Sequence, residues 1–316
     1  MYMKKFITIV VIILIPLISE AEEVLLKTSN GDIHGTMELP DSPPPHPVVL
    51  IISGSGPTDR DGNTAMLPGK NNSLKMLAEV LAERGIASLR YDKRGIGESS
   101  RAGQSEENLR FGMYIADAKG WSEQLKSDKR FKSVSIMGHS EGSLIGMVAA
   151  FQSGADSYIS IAGPSLPAIE TIRAQLRKQL PPELFKQAEP LLKELEHGKK
   201  VENYPDALKT IFRPSAQPYL ISWNQYNPSK EIQKLTVPVL FLQGSTDIQV
   251  SVDDAESLHK AEPGSRLEII EGMNHVLKQV SLDQQKQISS YSDPTLAISP
   301  RLVEVVLEFI HEPGKR

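Results

Sequence analysis

Short runs of β-branched and other apolar residues recur along the chain, bounded by Gly, Pro and Asp: Pro47 to Ser53, Ala87 to Asp92, Ser133 to Met137, Tyr158 to Ala162, Val237 to Leu242 and Arg266 to Ile270. Most are near-continuously apolar instead of alternating, the pattern of strands buried on both faces of a parallel sheet. Between them apolar positions return at helical spacing, over Leu74 to Arg84, Asn108 to Leu125, Leu144 to Phe151 and Leu302 to Ile310. This alternation predicts an open α/β sheet with helices on both faces. Two earlier runs, Val24 to Thr28 and Asp32 to Glu38, are joined through Ser29-Asn30-Gly31 and predict an antiparallel hairpin at one edge, hence a mixed sheet.

The pattern breaks after Gly163-Pro164. Until Val237 there is no strand candidate, but Ala168 to Leu180 and Pro182 to His197 both have helical periodicity. Residues 165–235 are therefore expected to form a helical cap inserted into a core made of residues 22–164 and 236–316. The cap carries 11 Lys/Arg against 8 Asp/Glu. A solvated helical surface is the simpler explanation; a preference for anionic substrates or lipid headgroups is the alternative.

At the N-terminus Lys4 and Lys5 precede an apolar run from Phe6 to Ile18, followed by Ser19-Glu20-Ala21. This reads as a signal peptide, residues 1–21, cleaved after Ala21, and the protein is expected to be exported to the periplasm or secreted. The apolar run is short for a bilayer span, so a retained membrane anchor is the second choice. The chain has no cysteine, which removes both disulfides and a lipidated thiol from consideration. The mature chain would carry about −5, and with no concentrated basic surface nucleic acid is not an expected partner.

The candidate chemistry lies in Gly138-His139-Ser140-Glu141-Gly142, which fits G-x-S-x-G at the seam between a strand run and a helix run. In such an elbow the serine sits in a sharp, strained turn. Gly138 and Gly142 are needed because the chain two residues before and two after the serine comes too close for a Cβ. Taken alone, the motif also suits a serine in an ordinary glycine-rich turn. A serine hydroxyl needs a base, and the base needs a group that fixes its tautomer. With this elbow the chain order is Ser, then Asp or Glu, then His, on loops after later strands. Asp247 follows the run Val237 to Leu242, and His275 follows Arg266 to Ile270. Asp253 and Asp254 are alternatives for the acid, but they fall where Val252 to Lys260 predicts a helix whose start they would favour. The oxyanion donors would be the N–H of Glu141 and an N–H from the loop Ser53-Gly54-Ser55-Gly56, Ser55 first and Gly54 as the fallback. The Glu141 side chain has no role that the sequence reveals. Asp59-Arg60-Asp61 does not fit a calcium loop, and a structural ion pair or a rim contact is the expectation for it; HExxH, phosphate-loop and GxGxxG patterns are absent, so neither a metal nor an organic cofactor is expected.

Four stretches, SGSGPTDRDGN (from Ser53), YDKRGIGESS (Tyr91 to Ser100), GHSEG and the GSTD and GMNH loops, resemble the α/β-hydrolase superfamily, specifically bacterial esterases and serine aminopeptidase-like hydrolases with a helical cap. The similarity runs from about Val24 to the C-terminus. It implies the α/β-hydrolase fold and a serine hydrolase that cleaves carboxylic esters through an acyl-enzyme, with Ser140, His275 and Asp247 as the triad. Peptide, lysophospholipid and thioester hydrolysis are the alternatives on the same triad, and a non-catalytic binding protein is a further one. The implied partner is a small acyl substrate. Ser53 stands where the family often has a histidine.

Overall fold

The computed structural model describes residues 21–103 and 105–314. The expected signal peptide lies outside the described residues, apart from Ala21. Among the described residues eight strands form one sheet: β1 (Glu22–Thr28), β2 (Gly31–Glu38), β3 (His46–Ile52), β4 (Ala87–Tyr91), β5 (Phe131–His139), β6 (Ser157–Ile161), β7 (Val239–Gly244) and β8 (Arg266–Ile270). Their spatial order is β1-β2-β4-β3-β5-β6-β7-β8. The β1–β2 hairpin is antiparallel and so is its junction with β4, while every pairing from β4 to β8 is parallel.

The apolar runs explain this arrangement. β3, β4, β6 and β7 are buried at every position. Along β3 successive side chains feed opposite faces: Val48, Leu50 and Ile52 join one core cluster, Val49 and Ile51 the other. Each such side chain contributes about 1.5–3 kcal/mol by leaving water, so a one-residue slip is strongly disfavoured. One face is covered by α2 (Phe111–Ser127) and α3 (Glu141–Ser153), after α1 (Ser73–Glu83) has covered the other together with the C-terminal helix. The register places Ile52 opposite Gly138, so the loop leaving β3 emerges beside the turn leaving β5.

Between β6 and β7 lie α4 (Ala168–Gln179), α5 (Pro182–Glu196) and three short helices, α6 (Lys209–Phe212), α7 (Gln217–Trp223) and α8 (Pro228–Glu231). The longer two form their own apolar cluster with Val201, Leu208 and Phe212. Aromatic contacts fasten this layer to the core: Trp223 stacks on Phe111 at 5.7 Å and 7°, and Tyr226 meets the same ring at 5.2 Å. Several of its cations are satisfied locally, Arg173 by Glu189 and Glu196, and Lys234 by Glu231. The chain finishes with α9 (Val252–Ala261), α10 (Gln284–Ser290) and α11 (Pro300–His311). Among the described residues no helix is long and apolar enough to cross a membrane.

Two helix starts differ by three residues from the sequence reading. α2 begins at Phe111 and not Asn108, because residues 106–108 form a separate 3-10 turn and Arg110 is extended at φ −136°. α3 begins at Glu141, three residues before its apolar periodicity becomes visible, because its first turn is Glu-Gly-Ser.

Lys278 is fully buried, its ammonium bonded to the Leu296 carbonyl and 3.1 Å from Met76 Sδ. Burial pushes it down to about 8, with Asp293 pulling weakly the other way. The native state therefore resists a proton that the unfolded chain holds up to about 10.4. The cost is fully present below pH 8 and is relieved as pH rises toward the unfolded value. Relative to Lys278→Met, the wild type is expected to gain on the order of 2 kcal/mol in urea melts between pH 7 and 9.5; a constant difference would contradict this.

Candidate active site

β5 runs into α3 through a single residue, Ser140, held at φ 55° and ψ −120°. This left-handed backbone is costly for serine. It is accommodated because a Cβ on Gly138 would fall inside Gly142 O, and a Cβ on Gly142 inside the Ile52 carbonyl. The Ser140 N–H donates to Ile161 O at 2.9 Å, which ties the turn to β6. Ser140 is partly exposed, and its Oγ has no hydrogen-bond partner among the described residues.

Asp247 follows β7 and His275 follows β8. The His275 Nδ1–H donates to Asp247 Oδ2 at 2.8 Å, and both side chains are buried. Asp247 Oδ1 accepts from the N–H groups of Gln249 (2.7 Å) and Val250 (3.0 Å), and Oδ2 also accepts from Gln243 Nε2 at 3.2 Å. Burial alone would raise this carboxyl, but His275 and the two backbone donors outweigh it and hold it below the usual carboxylate range. Asp254, an alternative for the acid, is engaged elsewhere: it forms a capping box with Ser251 at the start of α9 and accepts from Ser165. The His275 loop is pinned by α10, where Ser290 and Gln287 accept from Asn274, and Gln287 donates to Thr246 O.

On the other side of Ser140, the loop leaving β3 approaches closely. An added Cβ on Gly54 would lie 3.2 Å from Ser140 Cβ. Ser55, Ser140 and Glu141 all line one cavity of about 590 Å³ between the sheet and the cap. Its walls are largely apolar and include Tyr114, Ile172, Leu176, Ile211, Leu220 and Trp223. Two acidic residues contribute to the lining, and both are neutralised. Glu106 pairs with Arg213 across the rim, and Glu141 pairs with Lys93 at 2.8 Å. Among the described residues no cluster of three or more acidic, His or Cys side chains is placed to hold a metal ion.

Three residues in or beside the site, His139, Lys93 and Tyr219, escaped the sequence reading, and a fourth, Arg60, forms the structural ion pair expected of its run, with partners the sequence did not name. His139, treated as the variable residue of the elbow, donates Nε2–H to the His275 carbonyl at 2.8 Å with the rings 4.8 Å apart. Burial first, then His275, pushes it down to about 3, so it stays a neutral donor. Lys93 and Tyr219 meet the Glu141 carboxylate. Arg60 is nine-tenths buried in a cluster with Asp92 (3.0 Å), Glu23 (2.8 Å) and Glu98. It ties the loop after β3 to the hairpin and to the end of β4. All four have partners far away in sequence, and only their position next to a strand end or Ser140 could have marked those partners.

A mostly parallel sheet with helices on both faces, a helix-topped cavity and a glycine-flanked serine turn after the central strand define the α/β-hydrolase fold. Residues 70–279 match the family Serine aminopeptidase, S33, and the chain belongs to that family. It is 30% identical over 253 residues to Esterase EstD of Thermotoga maritima, an alignment that takes in 79% of this chain and 59% of that protein's length. Among solved structures it resembles Est1E from Butyrivibrio proteoclasticus with ferulic acid bound, at TM-score 0.61 and 18% identity over 92% of this chain and 98% of the other. It also resembles the alpha/beta hydrolase GrgF from Penicillium sp. sh18, at TM-score 0.59 and 19% identity over 93% and 99%.

Removing the Arg60 guanidinium leaves Asp92 buried without its counter-ion. Arg60→Met is expected to cost about 3 kcal/mol, read from the urea midpoint. A variant as stable as the wild type would show that the cluster holds nothing.

Proposed function

We propose that the protein is a serine esterase acting on carboxylic esters with apolar or aromatic acyl groups. The observation that carries this is the juxtaposition of a strained, partly exposed Ser140 in a largely apolar cavity with a buried His275–Asp247 pair at the ends of β8 and β7, held beside the elbow by the His139–His275 contact. Ser140 Oγ attacks the acyl carbonyl and its proton passes to His275 Nε2, free to accept because Nδ1–H is committed to Asp247. The N–H groups of Glu141 and Ser55 receive the tetrahedral oxyanion. Collapse expels the alcohol, protonated by His275, and leaves an acyl-enzyme. A water that gives its proton to His275 then attacks the same carbonyl and releases the acid. The hydrogen bond between Ser140 and His275 closes with substrate in place, as is common for catalytic contacts that are long in the empty enzyme.

The family name raises an aminopeptidase reading. An aminopeptidase must receive an α-ammonium group on a carboxylate. Both acidic residues lining the cavity are already paired, Glu106 with Arg213 and Glu141 with Lys93, which favours a neutral ester. The 30% identity to an esterase and the ferulic acid held by a protein of the same fold are in line with this. Export is also proposed. The first strand begins at Glu22, immediately after the expected cleavage point, and Glu22 pairs with Arg130.

Ser140→Ala is expected to lower kcat on a p-nitrophenyl ester by about 10⁴-fold or more without loss of melting temperature; near-wild-type turnover would rule the mechanism out. In a substrate series, medium-length and aryl esters should exceed aminoacyl p-nitroanilides by at least about 100-fold in kcat/KM, and the reverse order would favour the peptidase. Intact-mass measurement of the exported protein should give a chain starting at Glu22, whereas a retained Met1 would oppose cleavage.

A further inference from the structure

The side chain of Glu141 enters a buried network with Lys93 and Tyr219 at the wall of the cavity that Ser140 also lines. Glu141 and Lys93 are 3% and 1% exposed, and they pair at 2.8 Å. The Lys93 ammonium also donates to the Gly54 carbonyl and lies 5.5 Å from the centre of the Tyr114 ring. The other Glu141 oxygen accepts from the Tyr219 hydroxyl at 2.7 Å. Tyr219 belongs to α7 of the cap and packs on Tyr114 at 5.3 Å. Burial and the Glu141 charge push its hydroxyl well up, so it remains a donor.

The Gly54 carbonyl and the Ser55 N–H belong to one peptide unit. That unit is trans, since the cis bond among the described residues is Pro44–Pro45. In a trans peptide the N–H points opposite to the C=O. A carbonyl fixed on the buried Lys93 ammonium therefore fixes the Ser55 N–H in the opposite direction, within the cavity wall that Lys93, Ser55 and Ser140 share. The second oxyanion donor is the N–H of Glu141, whose own side chain is the counter-ion of that ammonium. We infer that Lys93 and Glu141 are positioning residues that aim both oxyanion donors from a single buried ion pair, and that Tyr219 makes this aim depend on the docked cap. The inference rests on the serine-esterase reading.

Stability alone does not require such a pair. Apolar residues of similar volume hold a buried site as well or better, but they cannot grip a carbonyl. What separates the two roles is a comparison of an adduct that carries an oxyanion with a ligand that does not.

The variants are Lys93→Met/Glu141→Gln, which removes both charges together and leaves neither unpaired, and Tyr219→Phe, which removes one hydroxyl. Each is assayed on a p-nitrophenyl ester, with an alkyl trifluoromethyl ketone as the probe that adds to Ser140 and places an oxyanion in the hole. A secondary amide of the same alkyl chain serves as a ground-state competitor. The double variant is expected to lose at least about tenfold in kcat and in ketone affinity, with KM and amide affinity within about twofold. Tyr219→Phe should shift kcat and ketone affinity in the same direction by about threefold. It keeps the test open if the double variant does not fold. Unchanged kcat and ketone affinity in either variant would overturn the inference, and so would an equal loss of amide affinity, which marks a collapsed pocket. Wild-type protein that neither turns over the ester nor forms the ketone adduct would overturn the esterase reading and this inference with it.

Discussion

The turn at Ser140 exists only because two Cβ atoms are missing around it. A serine held at φ 55° costs about 1–3 kcal/mol, and nothing in its own side chain repays that. The cost is met by the central position of β5, which is paired on both sides, and by the absence of side chains on Gly138 and Gly142. Once the turn is made, several consequences are unavoidable. Ser140 stands above the C-terminal edge of the sheet, the N–H of Glu141 heads a helix with no intrahelical acceptor, and the β3–β5 register brings Gly54 against Ser140. The cavity, the His275 loop and the loop after β3 are arranged around a point that the backbone has already set.

The loops themselves are held differently from the strands. A strand fixes its place by burying apolar side chains on both faces, an option that loops at the sheet edge lack. Here they are tied by buried polar groups: Arg60 for the loop after β3, Lys93 for its Gly54 carbonyl, Asp247 for the Gln249–Val250 backbone, and Asn274 with Gln287 for the base loop. A buried charge is expensive unless fully partnered. Each of these anchors therefore favours one arrangement and penalises near misses, which suits a site needing sub-ångström placement.

This difference decides what could be read from the sequence. The core strands are legible because apolar runs are local patterns, and the loops bearing Asp247 and His275 could be placed because each follows such a run. The steric need for glycine at 138 and 142 is equally local. The anchors are not: Lys93 meets Glu141 across 48 residues and His139 meets His275 across 136, with no periodicity to reveal either pair. The late start of α2 was hidden for a related reason. Its upstream 3-10 turn is fastened by Glu106 to Arg213 and Ser215 in the cap, a tertiary choice that overrides the local pattern.

The charge of Glu141 explains why the network has to be complete. On the esterase reading, a carboxylate on the residue whose N–H is assigned to the oxyanion would oppose the charge that develops there, and low-dielectric surroundings would magnify that repulsion. Lys93 offsets it at 2.8 Å, and the Tyr219 hydroxyl donates one hydrogen bond to the other oxygen without adding charge. On the proposed mechanism the effect of the pair is geometric: it would orient peptides whose own dipoles stabilise the oxyanion. A cap displaced from the core would leave Glu141 one donor short and strengthen its repulsion of the oxyanion. In the proposed mechanism the docked cap is then the state in which the Glu141 carboxylate is fully partnered beside the donors assigned to the oxyanion.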